Sequence, residues 1–499
     1  MSVPAPVRVV IRVLAFGAVA AVGLFQAFWH LGRANINPDE GVYLTAGQQY
    51  IRGVFTFNRE HPPTAKYILG LVQEVLGQNL TSGRIAATSI AFLAGVVLFL
   101  WLRRELGFWW ALVATAFWWL LPRAVVQTGI KIDRFAILEP FMVSFAILAL
   151  ALGWWWFRRP TWWAAALAGA AMALSVTSKV STAFLVVTFA FLAVRLLLRD
   201  RAVRAGLVGL ASYVAAFVAV FAASWHPMGM TSAIRYMLDF QSEQNRLGHN
   251  VIVAGRVVLH PPWWANLWFT EQGLGPWLLA ALCLAALFAF LPRPSELSVY
   301  LGVALAVLLV FYLLVAKNAL PSYYYVWVWI LFVLAAIGTK NLFEFRRQRR
   351  RILRPLALVI LLVAGATAVT TTAAIARVGP TGFARVSPVL AEHGVTRIKI
   401  LSTGYASWEF KPYLGANVKA ATIDASNHAS FGGAPFSATA VALRTDNRIH
   451  IDRPLETFVA NHRELFTHVV VDDVDLYLPK GGRTVMQTGD SFDFGPPST

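Results

Sequence analysis

The stretch that decides the fold is NPDEGVYLTAGQQYIRG, residues 37–53. Its polar side chains fall at i, i+3, i+4 and i+7 and its apolar side chains occupy another face, which is the pattern of an amphipathic helix lying in a membrane interface. Long apolar runs stand before and after it, so we place this helix in a loop of a polytopic membrane protein. The two faces are Thr45, Gln48, Gln49 and Arg52, and Val42, Ala46, Tyr50 and Val54.

The composition points to the same class. Of the 499 residues, 58% are hydrophobic and only 14% are charged, and the mean hydropathy is +0.59. Soluble domains have about 25% charged residues, so the composition excludes an ordinary soluble protein. A membrane span needs about 20 mostly apolar residues, which predicts about eleven spans in an α-helical polytopic protein. They are centred near residues 20, 93, 115, 147, 170, 189, 215, 283, 307, 331 and 366.

The basic residues set the predicted orientation. Short cytoplasmic loops are rich in Lys and Arg, and with the amino terminus inside every cytoplasmic segment is basic. We therefore expect a multi-pass protein of the cell membrane with a cytoplasmic N-terminus. The run RRQRRR at 346–351 is interpreted as a flank that contacts anionic lipid. We therefore expect the basic residues behind the net charge of +18 to interact with the bilayer and not with nucleic acid. The basic segments are Arg8 and Arg12, Arg103-Arg104, Arg158-Arg159, Arg195 to Arg204, Arg293, and Lys340 to Arg354.

A change of composition divides the chain into two predicted domains. Residues 1–378 form the transmembrane domain, and residues 379–499 contain Gly, Asp, Asn and Ser but no long apolar run. Strand-like stretches such as RIKIL at 397–401 and THVVVDD at 467–473 predict a small α/β domain. An odd number of spans makes this domain extracytoplasmic. The single cysteine, Cys283, lies in an apolar run and excludes an intrachain disulfide.

Two acidic residues begin the helix at 37–53. Asp39 and Glu40 lie at its amino-terminal end, where the helix dipole favours negative charge. Neighbouring carboxylates can divide the work of a transferase, one accepting a proton from an attacking hydroxyl and the other holding a sugar or an acceptor. The alternative is that Asp39 only caps the helix.

A second polar element follows in the same loop, REHPPTAKYILG at 59–70. The sequence His61-Pro62-Pro63 gives a rigid, extended approach to a short apolar helix, which places Lys66 at the membrane surface. The phosphate of a lipid lies at that depth. Lys66 either binds such a phosphate as a point charge or extends to the headgroups as an ordinary interfacial lysine.

Together, residues 39–70 and Arg84 resemble the protein O-mannosyltransferase family of the GT-C glycosyltransferases. That family has an acidic pair after the first span and then a His-Pro-Pro-x-x-Lys element. The tail after residue 379 looks more like that of the lipid A aminoarabinose transferases and their relatives. Three more segments are similar to the family: TGIKIDRFAILEPFMVSF at 128–145 with Arg134 and Glu139, SVTSKVSTAF at 175–184 with Lys179, and HPPWWANLW at 260–268 with His260.

The resemblance implies a GT-C fold and an inverting transfer of a sugar from a polyprenyl-phosphate donor to a hydroxyl of a glycan, a lipid or a protein. It implies Asp39 as the base, with Glu40 beside it in the catalytic pair. Cations would stabilise the leaving phosphate, which gains charge as its bond breaks. Glu40 and Glu139 would bind sugar or acceptor, or orient these cations. The implied donor-binding residues are His61, Lys66, Arg84, Arg134, Glu139, Lys179 and His260.

The cations have a plainer interpretation as topology anchors at span ends. Lys66, Arg134 and Lys179 all lie on the predicted outer side, against the positive-inside trend, which favours a functional role. The histidines of the outer loops match no metal-ligand spacing, so no cofactor is expected, and a divalent cation is left as an alternative that no motif indicates.

Aromatic residues of the outer loops also leave alternatives open. His260 with Trp263 and Trp264 either packs in the interface or stacks on a sugar or a polyprenyl chain. The run Tyr323 to Tyr325 predicts an aromatic belt at the membrane surface.

Two other functional classes compete with the glycosyltransferase. A transporter or flippase of lipid-linked or envelope substrates is compatible with many spans, but it would be expected to carry ionisable residues in the middle of spans and paired half-repeats. Neither feature stands out. A non-catalytic scaffold would leave the acidic pair and the HPPTAK element without a purpose.

Overall fold

A computed structural model describes most of the membrane domain and parts of the C-terminal tail. The described residues are 4–33, 37–124, 130–200, 202–248, 251–344, 350–378, 382–395, 397–402, 419–424, 436–438, 440–444, 460–471, 474–480, 485–488 and 491–494.

Helices dominate the described residues, and the predicted helical polytopic class is confirmed. Among the described residues, eight helical stretches are long and apolar enough to cross a membrane. The helices are α1 Ala5–Phe28, α2 Pro38–Ile51, α3 Thr64–Leu76, α4 Leu80–Glu105, α5 Phe108–Leu120, α6 Glu139–Arg158, α7 Trp162–Ser178, α8 Val186–Asp200, α9 Val203–Trp225, α10 Met230–Leu247, α11 Ala265–Leu274, α12 Pro276–Leu287, α13 Glu296–Val310, α14 Tyr325–Glu344, α15 Arg350–Ala376 and α16 Gly382–Glu392.

Each of the predicted apolar segments has its centre within one of these helices. Three of them, α5, α7 and α12, are apolar helices of only 10–17 residues, shorter than a full span. The number of eleven spans therefore stays a prediction. The helix predicted at 37–53 is present as α2 Pro38–Ile51, and Arg52 and Val54 of the predicted faces lie beyond its end.

The chain forms two compact units. The first unit comprises Met1–Trp29, Gly47–Leu71 and Ile85–Arg377, and the second comprises His30–Ala46, Val72–Arg84 and Val378–Thr499. In the first unit α14 is the most enclosed of the candidate spans, with 83% of its most apolar window buried, whereas only 6% of that of α1 is buried. A central apolar helix surrounded by others is the arrangement expected of a bundle in lipid, where outer helices keep apolar faces toward hydrocarbon.

Helices α2 and α3 cross at two glycines of the first unit. A β-carbon added to Gly70 would lie 2.3 Å from the carbonyl oxygen of Gly47, and one added to Gly47 would lie 2.7 Å from the carbonyl oxygen of Lys66. Only glycine permits two helix backbones to come so close. This crossing fixes where Lys66 stands relative to the second half of α2.

The strands of the described residues are β1 Val251–Val253, β2 Arg256–Val258, β3 Arg397–Ser402, β4 Lys419–Asp424, β5 Phe436–Ala438, β6 Ala440–Arg444, β7 Phe466–Val471, β8 Val474–Pro479, β9 Val485–Thr488 and β10 Ser491–Phe494. The described part of the tail contains a mixed sheet of five strands in the order β4-β3-β6-β8-β7 and an antiparallel sheet in the order β10-β9-β5. Helix α16 contacts β7 and β8, so the predicted small α/β fold is confirmed, and residues 397–401 and 467–471 are strands as expected. Residues 472–473 lie outside the described residues.

Candidate active site

The amino-terminal end of α2 carries the acidic pair, in the second unit. The Oδ1 atom of Asn37 accepts a hydrogen bond of 3.1 Å from the backbone N–H of Asp39. That contact is typical of an N-cap residue, so the cap is Asn37, and the interpretation of Asp39 as a mere cap is wrong. The side chain of Asp39 is exposed, whereas that of Glu40 is fully buried. Two neighbouring carboxylates thus occupy opposite environments.

Arg84, in the second turn of α4, binds both carboxylate oxygens of Glu40. Its Nε donates to Oε1 at 2.8 Å and its Nη2 donates to Oε2 at 2.7 Å, and neither side chain is exposed. The third nitrogen donates to the carbonyl oxygen of Leu31 at 2.9 Å. A bidentate pair of this kind fixes both orientation and position. The sequence predicted that Glu40 binds a sugar or an acceptor, or orients a cation. Its contact with Arg84 corresponds to the last of these roles.

Lys66 is fully buried in the first unit, on the first turn of α3. Its ammonium donates to the carbonyl oxygens of Asn58 and His61 and to the hydroxyl of Tyr50, and it lies 4.8 Å from the centre of the Tyr50 ring. Desolvation lowers the pKa of Lys66, and Glu60 opposes that change. The lysine thereby fastens the HPP segment to α2 and α3.

A second buried ion pair lies in the first unit, at the start of α6. Lys179 donates to Oε1 of Glu139 at 2.6 Å, and the same oxygen accepts a hydrogen bond of 2.9 Å from Ser322. The Lys179 ammonium also lies 4.9 Å from the centre of the Tyr323 ring. Glu139 precedes Pro140 in the first turn of α6, where an acidic residue and a proline both favour a helix start. Both predicted residues are therefore held in one fixed contact.

His61 lies within the electrostatic reach of both lysines of the first unit. Desolvation is the largest cause of its lowered pKa, followed by the positive charges of Lys179 and Lys66. A neutral imidazole is consequently the favoured form in the folded protein. Helix α3 and the end of α7 are in contact, since the hydroxyl oxygens of Thr64 and Thr177 lie 2.7 Å apart.

This lowered pKa predicts a loss of stability in acid. The unfolded imidazole titrates near its ordinary pKa of 6.5, so below that pH the unfolded chain binds the extra proton and is stabilised relative to the folded one. The contribution of His61 is complete above pH 6.5 and is lost as the pH falls through that value.

We therefore expect the melting temperature of the purified protein to fall between about pH 7.5 and about pH 5.5, and to fall less in His61→Gln. The matched control is His226→Gln, at an exposed histidine after α9, which should keep the full pH dependence. An equal pH dependence in His61→Gln and the native protein would contradict the inference.

Arg134 lies at the carboxyl end of α1 in the first unit. Its guanidinium donates to the carbonyl oxygens of Gln26, Ala27 and Trp29, the last at 2.6 Å. Carbonyl groups at a helix end have no partner within the helix and carry partial negative charge, so a buried cation there is favourable. The observed contacts of Arg134 therefore stabilise the end of α1.

Sequence reasoning missed the neighbours of Arg134. Arg123 binds Asp133 through a hydrogen bond of 2.6 Å and lies 4.3 Å from the centre of the Trp118 ring. Lys131 donates to Gln26 and to the carbonyl oxygen of Trp119, and desolvation lowers its pKa, followed by the charge of Arg123. The signal that singled out Arg134, a cation on the predicted outer side, applied equally to Arg123 and Lys131.

His260 and its tryptophans lie just before α11. His260 is exposed, as are Trp263 at 65% and Trp264 at 38%, and such rings suit both interfacial packing and stacking on a ligand. Among the described residues no group of three or more His, Cys, Asp and Glu is arranged to hold a metal ion. His249 lies outside those residues.

The predicted residues thus fall into separate sets. In the second unit Arg84 and the acidic pair share the start of α2. In the first unit one set surrounds His61 and another surrounds the end of α1. The sets are Asp39, Glu40 and Arg84; His61, Lys66, Glu139 and Lys179; and Arg134 with Arg123, Lys131 and Asp133.

Part of the chain matches the model of a known protein family. Residues 60–225 match the family model described as dolichyl-phosphate-mannose-protein mannosyltransferase. This range contains His61, Lys66 and Lys179, together with Arg84, Arg134 and Glu139, whereas the acidic pair and His260 lie outside it. No curated protein sequence matches the chain.

Comparison with solved structures gives similar folds over almost the whole chain. The crystal structure of ArnT from Cupriavidus metallidurans bound to undecaprenyl phosphate is 15% identical, covers 95% of this chain and 98% of its own, and has a TM-score of 0.58. The archaeal oligosaccharyltransferase AglB from Archaeoglobus fulgidus, in complex with an inhibitory peptide and a dolichol-phosphate, is 11% identical, with coverages of 98% and 74% and a TM-score of 0.54. At such identities the likeness is one of fold.

Proposed function

We propose that the chain is a glycosyltransferase of the GT-C superfamily and that it transfers a sugar from a polyprenyl-phosphate donor to an acceptor hydroxyl. The match of residues 60–225 to the mannosyltransferase family model and the similar folds support this proposal. The reaction inverts the anomeric carbon and takes place on the outer face of the cell membrane, with the N-terminus cytoplasmic. Two structures of similar fold contain a polyprenyl phosphate or a dolichol-phosphate, which supports the donor class. The acceptor is a hydroxyl of a glycan, a lipid or a protein.

The observation that carries the proposal is the contrast between the two neighbouring carboxylates. Glu40 is buried and bound by Arg84, which fixes the first turn of α2, while Asp39 on the same turn is exposed to solvent. The helix dipole stabilises both carboxylates of this turn, but Glu40 is shielded from solvent and Asp39 is open to it. A base must reach the substrate hydroxyl directly, and Asp39 is the member of the pair that can.

In the proposed step the acceptor oxygen attacks the anomeric carbon while Asp39 accepts the hydroxyl proton. The new carbon–oxygen bond forms as the bond to the donor phosphate breaks, and the bonding electrons leave with the polyprenyl phosphate. The phosphate gains negative charge, which a fixed cation stabilises most. Lys179, held by Glu139, is proposed for this role together with Lys66, and His61 and His260 are proposed to contact the donor. The positive charge comes from side chains, so no cofactor is proposed.

A direct assay separates a transferase from a transporter. The purified protein is reconstituted into vesicles that contain undecaprenyl-phosphate sugars with a radioactive label, and envelope material or exported protein is supplied as acceptor. We expect release of undecaprenyl phosphate and label in the acceptor, joined with the opposite anomeric configuration. If the label instead crosses the bilayer with its bond to phosphate intact, the protein is a flippase and the proposal fails.

A further inference from the structure

A groove of about 740 Å³ opens between the carboxyl ends of α4 and α6, in the first unit. Leu100 on α4 and Leu148 and Leu152 on α6 line its walls. Leu100 is 51% exposed. The groove therefore presents hydrocarbon surface on two helices that are both long and apolar enough to cross a membrane.

The mouth of the groove is basic. Four arginines line it, against a single glutamate, Glu105. Charge of one sign concentrated at a span end attracts anions from the membrane surface. The arginines are Arg103 and Arg104 at the end of α4 and Arg158 and Arg159 at the end of α6.

These arginines differ in what already holds them. Arg158 lies between Glu105 at 3.9 Å and Glu296 at 3.8 Å, and Arg104 lies 5.0 Å from the centre of the Trp155 ring. Arg103 and Arg159 are exposed and form no ion pair with the carboxylates of the described residues. The mouth thus has positive charge that no carboxylate of the described residues neutralises at Arg103 and Arg159.

We propose that this groove binds an anionic phospholipid, with the phosphate at the four arginines and an acyl chain against the leucines. A soluble anion would use the arginines but not the apolar walls, and a neutral lipid would use the walls but leave the arginines without a partner. An anionic phospholipid satisfies both parts of the groove. A tryptophan beside the arginines, Trp155, is the residue expected at the boundary between headgroup and hydrocarbon.

The groove is distinct from the proposed donor site. Glu139 begins α6 and Arg158 ends it, so at a rise of about 1.5 Å per residue the two residues lie about 30 Å apart along the helix. The proposed phospholipid site therefore stands without the proposed transferase activity. Its test requires no turnover.

The test measures the binding of lipids to the purified protein by native mass spectrometry. The probes are dioleoyl phosphatidylglycerol and dioleoyl phosphatidylcholine. We expect tighter binding of phosphatidylglycerol. The double variant Arg103→Gln with Arg159→Gln should bind it about 30-fold more weakly, since each arginine near a lipid surface contributes about a factor of five. Leu100→Gln should weaken binding of this long-chain lipid as well.

The matched control is Arg235→Gln with Arg256→Gln, which removes the same charge at two exposed arginines on α10 and β2. It should leave the affinity for phosphatidylglycerol unchanged. Equal loss in both double variants, equal binding of the two lipids, or full displacement by glycerol phosphate without acyl chains would each overturn the proposal. Unchanged melting temperatures would show that every variant is folded.

Discussion

Asp39→Asn is expected to lower kcat for sugar transfer by about 100- to 10,000-fold, the usual contribution of a general base. Asparagine has the same shape and leaves the Asn37 cap and the Glu40–Arg84 pair in place, but it cannot accept the proton of the attacking hydroxyl. The dissociation constant of the polyprenyl-phosphate donor should stay the same, because Asp39 acts on the acceptor. Rates and donor affinity of the reconstituted protein check both expectations.

The matched control for this substitution is Asp239→Asn on α10, which removes another exposed carboxylate. Its kcat should equal that of the native protein. Transfer by Asp39→Asn at a rate near that of the native protein would show that the base is another residue and would contradict the proposed mechanism. A fall in donor affinity with unchanged kcat would instead place Asp39 at the donor.

The helical part of the fold could be predicted from composition and periodicity. Apolar runs identify helices because the backbone must satisfy its own hydrogen bonds in lipid, so every predicted segment centre lies in a helix. Lengths were less predictable. Helix α5 ends at Leu120, before Pro122, and has only 13 residues although its composition is that of a span.

The identity of the site residues could be predicted better than their contacts. Glu40 and Arg84 are 44 residues apart, and no local pattern shows that a carboxylate in one loop will be buried against a guanidinium at the start of α4. The cap at Asn37 was likewise missed, although Asn is a favoured cap residue. Such pairings depend on how helices pack, which periodicity alone does not contain.

The tyrosines just before and at the start of α14 also show that burial is harder to predict than residue identity. Tyr323 to Tyr325 suggested an aromatic belt at the membrane surface, but Tyr324 and Tyr325 are fully buried, and the Tyr324 hydroxyl donates to the carbonyl oxygen of Ala124 at 2.8 Å. The belt prediction is wrong for these two residues. An amphipathic ring suits a lipid interface and a protein interior equally when its hydroxyl finds a partner.

Glu40→Gln is expected to lower the free energy of unfolding by about 3–5 kcal/mol, the usual cost of removing one member of a buried ion pair. The substitution keeps the shape of the side chain but leaves the charge of Arg84 buried beside a neutral amide. Unfolding of the purified protein in increasing denaturing detergent measures the effect. Glu243→Gln is the control, since its pair with Arg246 is more than 60% exposed on both sides and should cost less than about 1 kcal/mol.

A double variant separates the charge from the packing. Glu40→Leu combined with Arg84→Met replaces the pair by apolar side chains, and this protein should be more stable than either single variant, because no charge is left buried alone. If all three variants lose the same stability, the pair contributes through packing and not through charge. If Glu40→Gln is as stable as the native protein, Arg84 does not require the charge of Glu40. The ion pair then gives no support for assigning a structural role to Glu40 and the role of base to Asp39.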